Sequence, residues 1–256
     1  SLFLNEASLI GKLNHPHIVQ IYDAVVAEYL CYIVMEYVAG GTLEAHAEPG
    51  SLLPVDRVVE IVFKCTRALD FAYRLGITHR DIKPANILLA GGSDIKISDF
   101  GAAIIKHASF ERTQISGIGS PAYMSPQQVQ EQVLDHRTDI YSLGVVLHQL
   151  LTGELPYRAG NNFNMVYQIV HGEPARPSAQ RPGLPPVLDE IVGRAMAKDL
   201  DARYPTWPAF AHDLAQAVRN RQIRTPRSDF PDTEKFATLR ALPFFTDFTD
   251  VEIWEA

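Results

Sequence analysis

Residues 79 to 86 read His-Arg-Asp-Ile-Lys-Pro-Ala-Asn, and three of them carry groups that suit one kind of reaction. A carboxylate held in a loop, here Asp81, accepts a proton from a hydroxyl nucleophile. Lys83, two residues on, neutralises charge on a phosphoryl group in transit. Asn86 offers a neutral oxygen to Mg2+, a hard cation that prefers oxygen ligands. A second carboxylate is needed to hold such an ion, and Asp99 supplies it thirteen residues later in Asp99-Phe100-Gly101. Phosphoryl transfer asks little else of a protein at this point, because its catalysis is mostly positioning and charge stabilisation.

Four ionisable side chains within residues 79–83, running directly into the apolar Ile87-Leu88-Leu89, need a rigid frame. The elements around them supply one. The first thirteen residues read as an amphipathic helix with Leu2, Leu9 and Leu13 among its apolar positions, broken by Asn14-His15-Pro16-His17. Two runs rich in Ile, Val and Tyr, residues 18–25 and 30–38, read as an antiparallel pair. Pro54 opens a long helix to Leu75, with Val55, Val58, Val62, Leu69 and Ala72 near a helical period and Gly76 as its stop. The charged loop follows, then residues 86–89, the turn Gly91-Gly92 and the alternating strand 94–98. Residues 99–126 show no clear period, which marks a functional or mobile segment. Residues 139–153 are apolar on nearly all sides, as in a buried central helix. Further helices fit 163–170, 186–197 and 208–218, and no internal repeat is present. Strands early and helices late predict an α+β protein with a small sheet-bearing lobe and a larger helical lobe.

Composition narrows the function class. The 256 residues are 46% hydrophobic and 21% charged, with net charge -7 and pI near 5.7. That balance fits one large soluble domain with room for a fragment of another. An acidic chain without a basic stripe is a poor nucleic-acid binder, and the cluster Arg219, Arg221, Arg224 and Arg227 reads as a solvated linker. Cys31 and Cys65 each lie in an apolar run and read as reduced core thiols of a cytoplasmic protein. The nine histidines lack metal-like cysteine partners, so no zinc site is expected. No apolar run reaches membrane-spanning length and no signal peptide opens the sequence; any anchor would lie outside it.

Asp81-Ile82-Lys83-Pro84-Ala85-Asn86 together with Asp99-Phe100-Gly101 resembles the catalytic loop and metal-binding motif of eukaryotic-type protein kinases. Further stretches fall in the family's order. Val34-Met35-Glu36-Tyr37-Val38 resembles the adenine-binding hinge, and residues 119–127 resemble the substrate-site loop. Residues 139–147 resemble the buried helix that anchors the catalytic loop, and 198–206 a motif leading into a late helix. The resemblance covers about residues 2 to 218 and implies a two-lobe fold. It implies Asp81 as catalytic base, Lys83 as the phosphate-stabilising lysine, and Asn86 and Asp99 as Mg2+ ligands. The main chain of Glu36 and Val38 would bond adenine of ATP, with Met35 guarding the rear pocket and Leu88 as its floor. Lys83 with the hydroxyl of Ser120 resembles kinases acting on protein serine or threonine. His79 and Phe100 would stack in the column linking the lobes, a role equally that of a satisfied core histidine. Arg80 beside Asp81 resembles kinases switched on by loop phosphorylation, with Thr113 and Ser116 as candidate sites; the alternative is that they are plain loop hydroxyls. Thr42 and Tyr167 stand where acidic residues would select arginine in a substrate.

The sequence departs from the family in several places. Ser125-Pro126-Gln127 stands for Ala-Pro-Glu, so the usual glutamate–arginine pair, here with Arg203, becomes a neutral hydrogen bond, which puts the stability of the helical lobe in question. Ser120 replaces the commoner threonine. A glycine-rich loop and a strand lysine should precede the glutamate of the first helix, Glu6, but five residues come before it. The expectation is therefore a piece of a longer kinase, inactive by itself for lack of these parts; the alternative is a degenerate kinase serving as a scaffold or nucleotide sensor. Residues 1–218 read as the kinase domain, 219–235 as a linker, and 236–256 as the start of a second domain. There Leu239-x-x-Leu242-Pro243-Phe244-Phe245 resembles the opening helix of cyclic-nucleotide-binding domains, the alternative being a helix that caps the kinase lobe. A cyclic nucleotide would bind only through a domain completed beyond residue 256.

Overall fold

The computed structural model describes residues 13–26, 31–92, 94–100, 121–220 and 223. Strands β1 (Ile21–Val26) and β2 (Cys31–Met35) pair antiparallel, from Val26 opposite Cys31 to Ile21 opposite Met35, with a register shift between Ile21 and Asp23. Strands β3 (Ile87–Gly91) and β4 (Asp94–Ile97) form a second antiparallel pair, with Ile87 opposite Ile97. Residues 17–20 join the two: Val19 N–H donates to Ile97 O (2.9 Å), Ile97 N–H to His17 O (2.9 Å) and Glu36 N–H to Gln20 O (2.8 Å).

Helix α1 (Val55–Arg74) buries Val58, Ile61, Val62, Cys65, Leu69 and Ala72 along one face. Pro54 sits just outside it as the cap, with ψ 144, and Gly76 at φ 79 turns the chain out after Leu75. After the short α2 (Pro126–Val129) comes α3 (Arg137–Thr152), buried at every position except Arg137 and Gln149. Gly153 closes α3 at φ 80, and a Cβ there would meet Pro49 N at 2.5 Å, so only glycine fits. Then follow α4 (Asn162–His171), α5 (Pro177–Gln180), α6 (Pro186–Ala195) and α7 (Trp207–Arg219). Helix α3 packs against α1 and α6, α1 against α7 and β4, and α2 against α4. One continuous core results.

The α+β division into a small stranded part and a larger helical body is the one expected from the sequence. The helix expected over 186–197 ends at Ala195, because Ala197 N–H turns back to Arg194 O (3.3 Å) in a tighter closing turn. Helices α2 and α5 went unread; at four residues each they are too short to display a period. The helix expected over residues 1–13 lies outside the described residues apart from Leu13, which is buried in the core. No described helix is long and apolar enough to cross a membrane.

Candidate active site

Residues 77–86 lie between α1 and β3, and their backbone is fixed by side chains from distant elements. Asp139, in the first turn of α3, accepts His79 N–H at Oδ2 and Arg80 N–H at Oδ1, both at 2.7 Å. Burial pushes its carboxyl above the ordinary carboxylate range, although His79 and the two N–H bonds pull the other way. Arg80 thereby keeps φ 64, a left-handed conformation that costs a non-glycine residue about 1–3 kcal/mol. The fully buried His79 approaches Ser98 O with Nε2 (2.8 Å) and receives Asp81 N–H at Nδ1 (3.3 Å). Those two contacts select the tautomer with the proton on Nε2. Its ring meets Phe100 edge-on, centroids 4.6 Å apart, as the expected column requires.

The residues expected to do chemistry converge. Lys83 Nζ lies 3.0 Å from Asp81 Oδ2, both side chains partly open to solvent. Asn86, 5% exposed, donates through Nδ2 to Asp81 O (2.7 Å) and Asp81 Oδ2 (3.3 Å). Pairing of Ile87 with Ile97 sets Asn86 across from Ser98, whose N–H donates to Asn86 O (2.9 Å). Ser98 Oγ reaches both Asn86 O (3.3 Å) and Asp99 Oδ2 (3.4 Å), so Asp99 follows one step beyond the ladder. Asp99 is exposed and also left-handed, at φ 61. Asn86 spends its amide nitrogen on Asp81, which leaves its amide oxygen as a donor, and Ser98 Oγ links the Asn86 main chain to the exposed carboxylate of Asp99. Two oxygen donors at an open edge fit a hard divalent cation that retains water and takes its other oxygens from a phosphate.

The expected nucleotide pocket lies where β2 leaves the first pair. Met35 is 42% exposed and Val38 half-buried. Glu36 has its N–H committed to Gln20 O, so of the main-chain atoms expected to meet adenine there its carbonyl is the one not used by this bond. The Glu36 side chain is tied down by Lys96 Nζ (3.0 Å) and Gln20 N–H (3.2 Å). Burial pushes this carboxyl up, but Lys96 and Gln20 outweigh it and hold it low. Leu88 is half-buried on β3, bridged to Thr42; Leu89 N–H donates to Gly41 O (2.9 Å). At Gly40 a Cβ would stand 2.0 Å from Leu89 O, so this crossing requires glycine. Leu88 and the segment after Val38 are thus one unit.

Helix α2 borders the loop from the other side. Ser125 and Gln128 form a reciprocal cap, Gln128 N–H to Ser125 Oγ (3.2 Å) and Ser125 N–H to Gln128 Oε1 (3.0 Å). The buried Gln127 accepts from Arg203 Nη2 at 3.2 Å, the neutral bond read from the sequence. Arg203, 1% exposed, also donates to Ala197 O, Arg137 O and Lys198 O and lies over the Tyr141 ring. Burial pushes it down to about 10. Glu6, Thr113, Ser116 and Ser120 lie outside the described residues. Ser98 and Gln128 carry the site's geometry without having been singled out from the sequence, and Asp139 is the residue by which the helix expected to anchor the loop bonds it.

The model of the protein kinase domain family matches residues 1–214. The chain belongs to this family. Among curated relatives, serine/threonine-protein kinase PknB of Mycobacterium tuberculosis (strain H37Rv) is 40% identical over 245 residues, covering 93% of this chain and 39% of the relative. The protein of the same name from Mycobacterium leprae is 38% identical over 230 residues, 88% of this chain and 37% of the relative. A probable serine/threonine-protein kinase PknB of Bifidobacterium longum is 38% identical over 223 residues, 83% and 32%. The chain thus spans between about a third and two fifths of the length of these relatives. Kinases of this family use ATP and a divalent metal ion, and the oxygen donors of Asn86 and Asp99 match that requirement.

Proposed function

We propose that the protein is a serine/threonine protein kinase in which Asp81 takes the proton from a protein hydroxyl as that oxygen attacks the γ-phosphorus of ATP. The bond to the bridging oxygen breaks and ADP leaves. The observation that carries this reading is the cluster at Asp81, with Lys83 Nζ and Asn86 Nδ2 both on Oδ2 and Asp99 joined to Asn86 through Ser98. Oδ1 is then the proton acceptor. Lys83 would follow the charge on the phosphoryl group, and Ser120 would contact the loop from the substrate side. Mg2+, bound by Asn86 and Asp99, would supply charge neutralisation on the phosphates. Met35, the main chain of Glu36 and Val38, and Leu88 would hold adenine, while Glu6 would fix the phosphate-clamping lysine. The names of the relatives support the choice of serine and threonine as acceptors.

Three finer readings belong to the same proposal. Arg80 receives a phosphate placed on Thr113 or Ser116. Residues 1–218 form the kinase domain, 219–235 a linker, and 236–256 begin a cyclic-nucleotide-binding domain, a reading supported by the run Leu239 to Phe245 alone. The free thiol of Cys65, buried and pushed to about 12, suits a reducing cytoplasm.

Asp81→Asn in the full-length protein tests the central claim. We expect ATP binding to survive and transfer of radiolabelled phosphate to fall by about 10²-fold or more. A variant that transfers phosphate at the parent rate removes Asp81 as the base. A parent protein that binds ATP and transfers nothing favours the scaffold alternative.

A further inference from the structure

The peptide group between Arg80 and Asp81 is held on both of its polar atoms. Its N–H, that of Asp81, points to His79 Nδ1 (3.3 Å), and its C=O accepts Gln128 Nε2 (2.9 Å). The preceding peptide is held by Asp139 Oδ1 through Arg80 N–H. Gln128 is the one of these partners that comes from the substrate-side helix α2. Its side-chain amide is used at both ends. Oε1 closes the cap on Ser125 N–H, and Nε2 crosses 48 residues of sequence to Arg80 O. The cap itself is anchored in the body, because Ser125 Oγ lies 3.2 Å from Thr138 Oγ1 at the start of α3, one residue before Asp139. Ser125 is fully buried, and α2 begins with a proline at its first position, so its geometry is stiff.

We infer that Gln128 is a positioning residue for the catalytic loop: through Arg80 O it sets the plane of the Arg80–Asp81 peptide and so the direction of the Asp81 side chain. This inference rests on the kinase reading of Asp81. Arg80 in the left-handed region relaxes if either of its peptide groups is released, and the next Cα to move is that of Asp81. The amide also makes Asp81 responsive to α2: when the substrate-side segment is out of place, Nε2 leaves the carbonyl and the base loses one of its supports. A carboxylate at position 128 separates the two functions of the side chain. It keeps an acceptor for Ser125 N–H but has no donor for Arg80 O.

The test uses the full-length protein with Gln128→Glu and Gln128→Met. Three quantities are measured for each: kcat and KM for ATP and for a peptide acceptor, the thermal midpoint, and hydrogen exchange of the backbone over residues 78–84. For Gln128→Glu we expect a thermal midpoint near that of the parent. We also expect faster exchange in 78–84 and a kcat lowered on the order of 10- to 100-fold at unchanged KM for ATP, the scale of a sub-ångström to 1 Å displacement. Gln128→Met should show the same kcat loss together with a lower midpoint, since it also removes the side-chain half of the cap, the acceptor for Ser125 N–H. A Gln128→Glu protein with parent-like kcat, or with parent-like exchange in 78–84, overturns the inference. The exchange measurement needs no turnover, so it judges the tether even if the parent proves inactive, an outcome that would count against the kinase reading itself.

Discussion

Asp139→Asn is the substitution in which the structure most directly converts geometry into a number. The carboxylate accepts two backbone N–H groups at 2.7 Å, from His79 and Arg80. Hydrogen bonds to a charged partner contribute about 1.5–3 kcal/mol each, and a buried donor left without a partner costs about 1–3 kcal/mol. Asparagine keeps one oxygen, so one N–H stays bonded while the other faces an NH2 group. Against that loss stands a gain: the carboxyl is fully buried and pushed up in pKa by desolvation, and a neutral amide avoids that penalty. The net expectation is about 2 kcal/mol of destabilisation for asparagine and about 3–5 kcal/mol for alanine, which loses both bonds. Either value is a large fraction of the roughly 5–15 kcal/mol that holds a typical domain together.

The kinetic consequence is of comparable size, since a factor of ten in rate is about 1.4 kcal/mol. With the pair of bonds broken up, Arg80 loses support for φ 64 and drifts toward the ordinary helical or extended regions. Asp81 is the next residue, and a shift of its carboxylate by about 1 Å costs about 10²-fold in rate. Urea unfolding of Asp139→Asn in the full-length protein should show a lower midpoint at unchanged slope. A radiolabel transfer assay below that transition should show the kcat loss with KM for ATP nearly unchanged, because the hinge at Glu36 and Val38 is untouched. An asparagine variant within 0.5 kcal/mol of the parent (about the scatter of neutral surface changes), turning over at the parent rate, would refute the idea that Asp139 sets the loop.

Two further outcomes follow from the helical body. Arg203, pushed down to about 10 by burial, carries its charge in the folded state at a desolvation cost. Gln127→Glu places a carboxylate where Gln127 Oε1 now accepts at 3.2 Å. About 4 kcal/mol of attraction at an effective dielectric constant near 20, offset by carboxylate desolvation and by the facing Lys198 carbonyl, should leave a gain of about 1–2 kcal/mol. A fall in the urea midpoint at pH 7 would contradict this. Asp135 has its carboxyl pushed up by burial but held below 3.8 overall by Arg137, whose Nε and Nη2 lie 2.9 and 2.7 Å from Oδ2. Its stabilisation is present above pH 3.8 and is lost as pH falls through the lowered folded value. With the side chain 43% exposed, Asp135→Asn should cost at most about 1 kcal/mol at pH 7 and nothing near pH 2. A cost that grows toward acid pH would show the sign to be wrong.

Some of this architecture is written locally in the sequence and some is not, and the division follows interaction range. Helix α1 is legible because Val58, Val62, Leu69 and Ala72 repeat at helical spacing between Pro54 and Gly76, signals that need no distant partner. The chemistry of Asp81, Lys83 and Asn86 is legible because three chemically distinct groups fall within six residues, and the β3–β4 hairpin then folds Asp99 back beside them. Asp139 gives no such signal by its own type, although residues 139–147 resemble the helix that anchors the loop. A carboxylate in the first turn of a helix is ordinary there, favoured by the helix dipole, and only the fold reveals that its bonds reach back 59 and 60 residues. Gln128 is harder still: an amide three residues after a serine announces a capping box and nothing more, while its second bond spans 48 residues. The left-handed backbone of Arg80 is invisible for the same reason, since it is not glycine and bonds from Asp139 and Gln128 hold its peptide groups. The reacting groups are therefore set out by local sequence, and the strain that aims them is stored in contacts from α2 and α3. Substitutions at Asp139 and Gln128 should accordingly alter rate while every residue of the local motif remains in place.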